Sequence, residues 1–93
     1  MSKLLNFTAT GNIGPASGFR MGGITLQAGT AAATAQLTEV VGASTFTRMT
    51  MTAAANTTVP HGMTDWENGA FFDGQLVLST LTGNGASVNI EEL

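Results

Sequence analysis

The sequence predicts an all-β fold, a small antiparallel β-sandwich or jelly-roll-like barrel of about six to eight short strands. Three observations carry that expectation. Apolar residues recur at period two in several segments, most clearly Leu76–Leu81, Ala86–Ile90 and Thr45–Ala53, and residues at i, i+2 and i+4 line one face of a strand. Turn residues punctuate the chain at intervals of roughly 8–12 residues, the spacing of sandwiches and barrels. No stretch has the 3.6-residue apolar spacing of an amphipathic helix.

Taken in order, Leu4–Thr10 is a first strand, or an arm that orders only against a partner. Gly11–Gly18 reads as turn chemistry throughout. Residues 1–18 are therefore expected to form an N-terminal arm or strand with a glycine-rich loop, ahead of a β-sandwich over 19–93, in one domain overall. Phe19–Ala28 is a strand with Ile24, Leu26 and Ala28 on one face, and its paired Gly22-Gly23 suggests a bulge or bend. After Gly29-Thr30, the segment Ala31–Val41 returns with Ala33, Ala35 and Leu37 alternating against Thr34, Gln36 and Thr38. The alanine run invites a helix, but β-branched neighbours and the missing helical period oppose it.

Gly42-Ala43-Ser44 is the next break. Thr45–Ala53 follows with Met49, Met51 and Ala53 on one face, and Phe46, Arg48 and Thr50 on the other. Val59-Pro60-His61-Gly62 is a turn, and Met63–Gly69 a loop leading to Phe71-Phe72. In Gly69–Ile90, Leu76, Leu78 and Thr80 alternate with Val77, Ser79 and Leu81, and Ala86, Val88 and Ile90 form a second apolar row. Gly83-Asn84-Gly85 supplies the positive-φ residues of a tight turn, so a hairpin is expected. Gly23–Ala32 repeats the grammar of strand, glycine turn and alanine exit, which predicts a second hairpin.

Composition restricts function. Charged residues make up 10% of the 93, against roughly 25% in an ordinary soluble domain. Three cations against six carboxylates, a net charge of −3, leave no electrostatic footprint for nucleic acid or anionic lipid. A surface so poor in charge is weakly defended against association, a hint of a subunit built to sit in an assembly. The absence of cysteine removes disulfides and thiolate metal sites. Asn6 and Thr8 interrupt the apolar start, so no signal-peptide core forms, and no run approaches the ~18–20 residues of a membrane helix. Synthesis and folding in a cytoplasm are expected. The sequons at Asn6 and Asn56 are then idle.

Residues able to carry chemistry are few. His61 follows a proline in a turn, and no nucleophile elbow accompanies it. Asp65, Glu67 and Asp73 are spaced carboxylates, but they lack the ligand order of a calcium loop and are interrupted by Trp66 and Phe71-Phe72. Gly11–Gly18 lacks the lysine of a phosphate-binding loop. Trp66 is either core, capping one end of the sandwich, or an interface anchor. No catalytic, cofactor-binding or metal-binding residue is assigned, and the chain is expected not to be an enzyme.

The segments Gly23–Leu37, Thr52–Thr58 and Gly74–Ile90 together resemble small β-sandwich structural proteins of tailed bacteriophages, among them capsid decoration (cement) proteins. The resemblance covers roughly residues 20–91 and departs from that pattern at Pro60–Asn68. It implies a virion structural protein on the capsid surface, bound in many copies to the major capsid protein and to neighbouring copies of itself. Such sites commonly lie on symmetry axes, so a trimer is expected. Expected contact residues are Leu4, Leu5 and Phe7 in the N-terminal arm, and Pro60, His61 and Trp66 in the loop. The competing expectation is a ligand- or receptor-binding module of a head fibre or tail.

Overall fold

The computed structural model describes residues 3–15, 18–62 and 70–93. These form nine strands: β1 (Lys3–Phe7), β2 (Gly11–Ile13), β3 (Phe19–Gln27), β4 (Ala33–Val41), β5 (Ser44–Ala53), β6 (Thr58–Gly62), β7 (Ala70–Phe72), β8 (Gln75–Thr82) and β9 (Ser87–Glu92). They build two antiparallel sheets. One has the order β1-β9-β3-β6, with β7 also on β3; the other has the order β2-β8-β4-β5. The expected all-β sandwich is the observed architecture, with nine strands among the described residues.

Strands β6 and β7 share one lane. β6 pairs with Gly23–Gln27 of β3 and β7 with Phe19–Met21, both antiparallel. Counted as a single interrupted strand, they leave eight. The first, eighth, third and sixth then face the second, seventh, fourth and fifth, which is the strand order of a jelly roll.

That order corrects the two expected hairpins. β8 and β9 lie in different sheets, and so do β3 and β4. Gly83–Ala86 and Ala28–Ala32 are therefore arches that carry the chain across the core. In-facing apolar rows do not distinguish the two cases. In a hairpin they lie side by side, and in an arch they face each other through the core. The hairpin among the described residues is β4–β5, turned at Gly42 with φ of 61°.

A second correction concerns Gly11–Ile13, expected as turn. It is strand β2, paired with Leu76–Leu78 of β8. Ile13 is fully buried, and the Gln75 side-chain amide donates to its carbonyl at 3.1 Å. Three residues are too few for a period to register, and one apolar side chain decides the pairing. β1 is likewise integrated, in register with β9 from Lys3–Glu92 to Phe7–Val88.

The core fills the space between the sheets with Ile13, Phe19, Met21, Leu26, Leu37, Leu76, Leu78, Val88 and Ile90, all essentially inaccessible. Bulges keep the alternation in phase with it. In β3 the buried residues step from Phe19 and Met21 to Ile24 and Leu26, three residues apart instead of two, where the register with β9 shifts between Met21 and Gly23. The extra residue is Gly22, as the paired glycines suggested; a Cβ there would lie 2.7 Å from a Glu91 carboxylate oxygen.

β8 makes the same adjustment at Ser79, which has no partner between the Gln36–Thr80 and Leu37–Leu78 pairs. Leu81, rather than Thr80, consequently packs on the core. The Ser79 hydroxyl donates to the Gln36 carbonyl at 3.1 Å and pins the bulge. Ser79→Ala is expected to cost about 0.5–1 kcal/mol, since this exposed bond is a modest one. The check is a lower urea midpoint at unchanged slope.

Candidate functional site

Two places on the described molecule concentrate features beyond core packing. The first is the outer face of the five-stranded sheet. Register across that sheet sets Leu4, Glu91, Gly23 and Gly62 in one row, and Asn6, Asn89, Thr25 and Pro60 in the next. Gly23 contributes no side chain to the middle of the first row, so the surface dips. An open groove of about 370 Å³ runs there, lined chiefly by Leu4, Gly23, Thr25, Pro60, Asn89 and Glu91.

Its walls mix apolar and polar groups. Leu4 is 79% exposed, and the Asn6 amide donates to the Asn89 side-chain oxygen at 2.7 Å. Farther along the same sheet, Arg20 and Phe71 are register partners, with the guanidinium 5.3 Å from the ring centroid. Phe71 and Leu93 are about half exposed, and the Leu93 N–H donates to the Arg20 carbonyl at 2.9 Å. Leu4, Pro60, Phe71 and Leu93 thus gather exposed apolar surface on one face, with Arg20 and Glu91 as its charges.

The second place is the far end of the core from the arches. Glu39 continues the inward row of Ala33, Ala35 and Leu37, yet it is a carboxylate and 4% exposed. Two hydrogen-bond donors compensate it. The Gly74 N–H reaches one oxygen at 2.7 Å, and Arg48 Nε reaches the other at 2.8 Å. The neighbouring Asp73 backbone N–H favours the carboxylate more weakly. The Gly74 N–H most of all, with Arg48, holds the carboxyl below the usual range, against burial that pushes it up.

The β5 bulge makes this geometry possible. Register shifts between the Leu37–Met49 and Thr38–Thr47 pairs, leaving Arg48 as the extra residue. Its guanidinium extends over the Phe46 ring, 5.0 Å from the centroid, to reach Glu39. Glu39 was legible as an inward carboxylate from its parity with Leu37. Arg48 was not, because strict alternation sets it on the opposite face. No described buried side-chain polar atom lacks a partner, and Glu39 has its donors within the fold. The arrangement clamps the β7–β8 turn onto the β4–β5 hairpin; it does not present a reactive group.

Of the residues expected at contacts, Leu4 and Pro60 are exposed and line the groove. Leu5 and Phe7 are partly buried and pack against the core, so most of their apolar surface is already used. His61 lies on β6 as the register partner of Ile24. Trp66 falls outside the described residues, as do Asp65 and Glu67. Leu93 and Arg20 were not assigned to a contact surface. The signal available for them was the parity of Arg20 and Phe71 against inward Phe19, Met21 and Phe72.

Comparison with protein-family models, with curated proteins and with solved structures finds no match to this chain.

Proposed function

We propose that this protein is a non-catalytic structural component of a bacteriophage virion, a decoration protein that binds the capsid in many copies and reinforces it. The observation that carries the reading is the outer face of the five-stranded sheet. Exposed Leu4, Pro60, Phe71 and Leu93 share one side of a rigid sandwich, and apolar surface gathered in this way marks an interaction site. The jelly-roll strand order, which also builds viral capsid domains, supports it by analogy of fold. So do the low charge and the internal satisfaction of Glu39. Mechanistically, a protein that binds only the assembled shell adds its binding free energy to that state and makes disassembly harder.

The test uses shells assembled without the protein and then incubated with it. The unmodified chain is expected to bind and raise the temperature of shell disruption. Leu4→Lys is expected to weaken binding at least tenfold without lowering the chain's own melting, because Leu4 is 79% exposed and its register partner Glu91 accommodates a cation opposite it. Equal heat resistance with and without the protein removes the reading.

The groove favours a second reading, a ligand- or receptor-binding module of a fibre or tail. Its volume falls within the range of small-ligand sites, and Thr25, Asn89 and Glu91 offer polar anchors beside Leu4 and Pro60. A glycan array with no hit above background removes it.

A further inference from the structure

The four lateral edges of the two sheets are not equivalent, and the difference points to a partner. A sheet edge exposes unpaired N–H and C=O groups, and proteins blunt such edges by keeping them short or by placing lysine, proline or bulges on them. β1 is five residues long and begins with Lys3; β2 has three residues; the β6–β7 lane carries Pro60, which has no N–H to offer, and ends in a three-residue strand. β5 is the exception. It runs ten residues without lysine or proline, and no described strand pairs with its outer edge. Its one irregularity is the bulge at Arg48, which leaves Met49–Ala53 as an uninterrupted arm.

We propose that this arm is a self-association edge, on which a second copy pairs antiparallel through Met49–Ala53 about a twofold axis at Met51. Identical strands related by a twofold are self-complementary. Centring on Met51 sets Met49 opposite the second copy's Ala53 and Thr50 opposite its Thr52, so inward faces inward and outward faces outward in a continuous eight-stranded sheet. The second copy's β5 then extends the cover over Met49, which is only partly buried. Thr–Thr pairs across strands are favourable. Charge does not oppose the contact, because the strand's one ionic group, Arg48, is paired with Glu39 inside its own chain. The inference stands apart from the virion reading: a twofold edge contact joins copies, or trimers, whatever surface they bind.

Sedimentation velocity on the purified chain tests it. A monomer–dimer equilibrium with Kd of roughly 10–1000 µM is expected for so small an interface. Thr50→Lys with Thr52→Lys sets like charges directly opposite across the axis and is expected to weaken the dimer at least tenfold. Hydrogen exchange on the unmodified chain gives a second readout: protection of amides in Met49–Ala53 is expected to rise with protein concentration, while that of β8 stays constant. A monomer up to about 1 mM, a dimer indifferent to the two lysines, or concentration-independent exchange in β5 overturns the proposal.

Discussion

Gly29→Val is expected to cost about 3 kcal/mol or more and to leave the protein largely unfolded at moderate urea, while Gly11→Ala changes stability by less than about 1 kcal/mol in either direction. The contrast follows from what each added carbon meets. At Gly29 a Cβ would lie 2.2 Å from the Asn84 carbonyl oxygen and 2.9 Å from the Gly85 Cα. Both are backbone atoms, which cannot swing aside as a side chain can. At Gly11 a Cβ meets nothing within 4 Å.

Gly29 is also the point where three crossings meet. Its carbonyl accepts from the Asn56 N–H at 2.8 Å; next to it, Ala28 N–H donates to Thr57 at 2.9 Å and Thr30 N–H to Asn84 at 3.2 Å. The Asn84 amide returns a bond to the Thr30 hydroxyl at 3.1 Å. Forcing Gly29 away from Gly85 therefore breaks the backbone bonds that hold the arches 28–32, 54–57 and 83–86 together. Against a total of about 5–10 kcal/mol for a domain of this size, the loss is a large fraction. Urea unfolding of the two variants side by side checks it; equal midpoints show that the arches are not stacked as described.

The same junction shows what the sequence made legible. Gly83-Asn84-Gly85 and Gly29-Thr30 were readable as turns, and the rows Ile24–Leu26–Ala28 and Ala86–Val88–Ile90 as inward faces; all six of those row residues are buried. Whether a turn closes a hairpin or an arch was not readable. A glycine turn between two alternating strands is written alike in both, and the choice rests on long-range pairing. β9 finds β1 and β3, both in the N-terminal third of the chain, in preference to its sequence neighbour β8. Bulges set the second limit. Paired glycines announced the one in β3, whereas Ser79 and Arg48 look like ordinary outward residues until the register with β4 is known. Much of the candidate contact face stayed hidden for the same reason, since the adjacency of Leu4, Asn89, Thr25 and Pro60 exists only through three strand pairings.

Loss of the Glu39 carboxylate is the other large effect expected. Glu39→Ala strips the Gly74 N–H and the Arg48 guanidinium of their acceptor. The Gly74 N–H is then left unsatisfied in a buried position, a cost of about 1–3 kcal/mol by itself. Breaking a buried ion pair by removing one partner costs about 3–5 kcal/mol, but Arg48 is 44% exposed and recovers part of its hydration. A net destabilisation of about 2–4 kcal/mol follows. Arg48→Ala is expected to cost less, because the Gly74 N–H still holds the carboxylate.

The pH dependence has a definite sign. The Glu39 pKa is lower in the fold than in the unfolded chain, so its contribution is fully present above the unfolded value, about 4.3. It is lost as pH falls through the lower, folded value. Stability of the unmodified protein should therefore decline on acidification from about pH 5 downward, and the decline should be shallower in Glu39→Gln, whose side chain does not titrate. Thermal melting of both proteins across that window decides the matter. Parallel curves would mean that the acid sensitivity arises from the exposed carboxylates, and that the clamp between the β7–β8 turn and the β4–β5 hairpin contributes no charge-dependent stability.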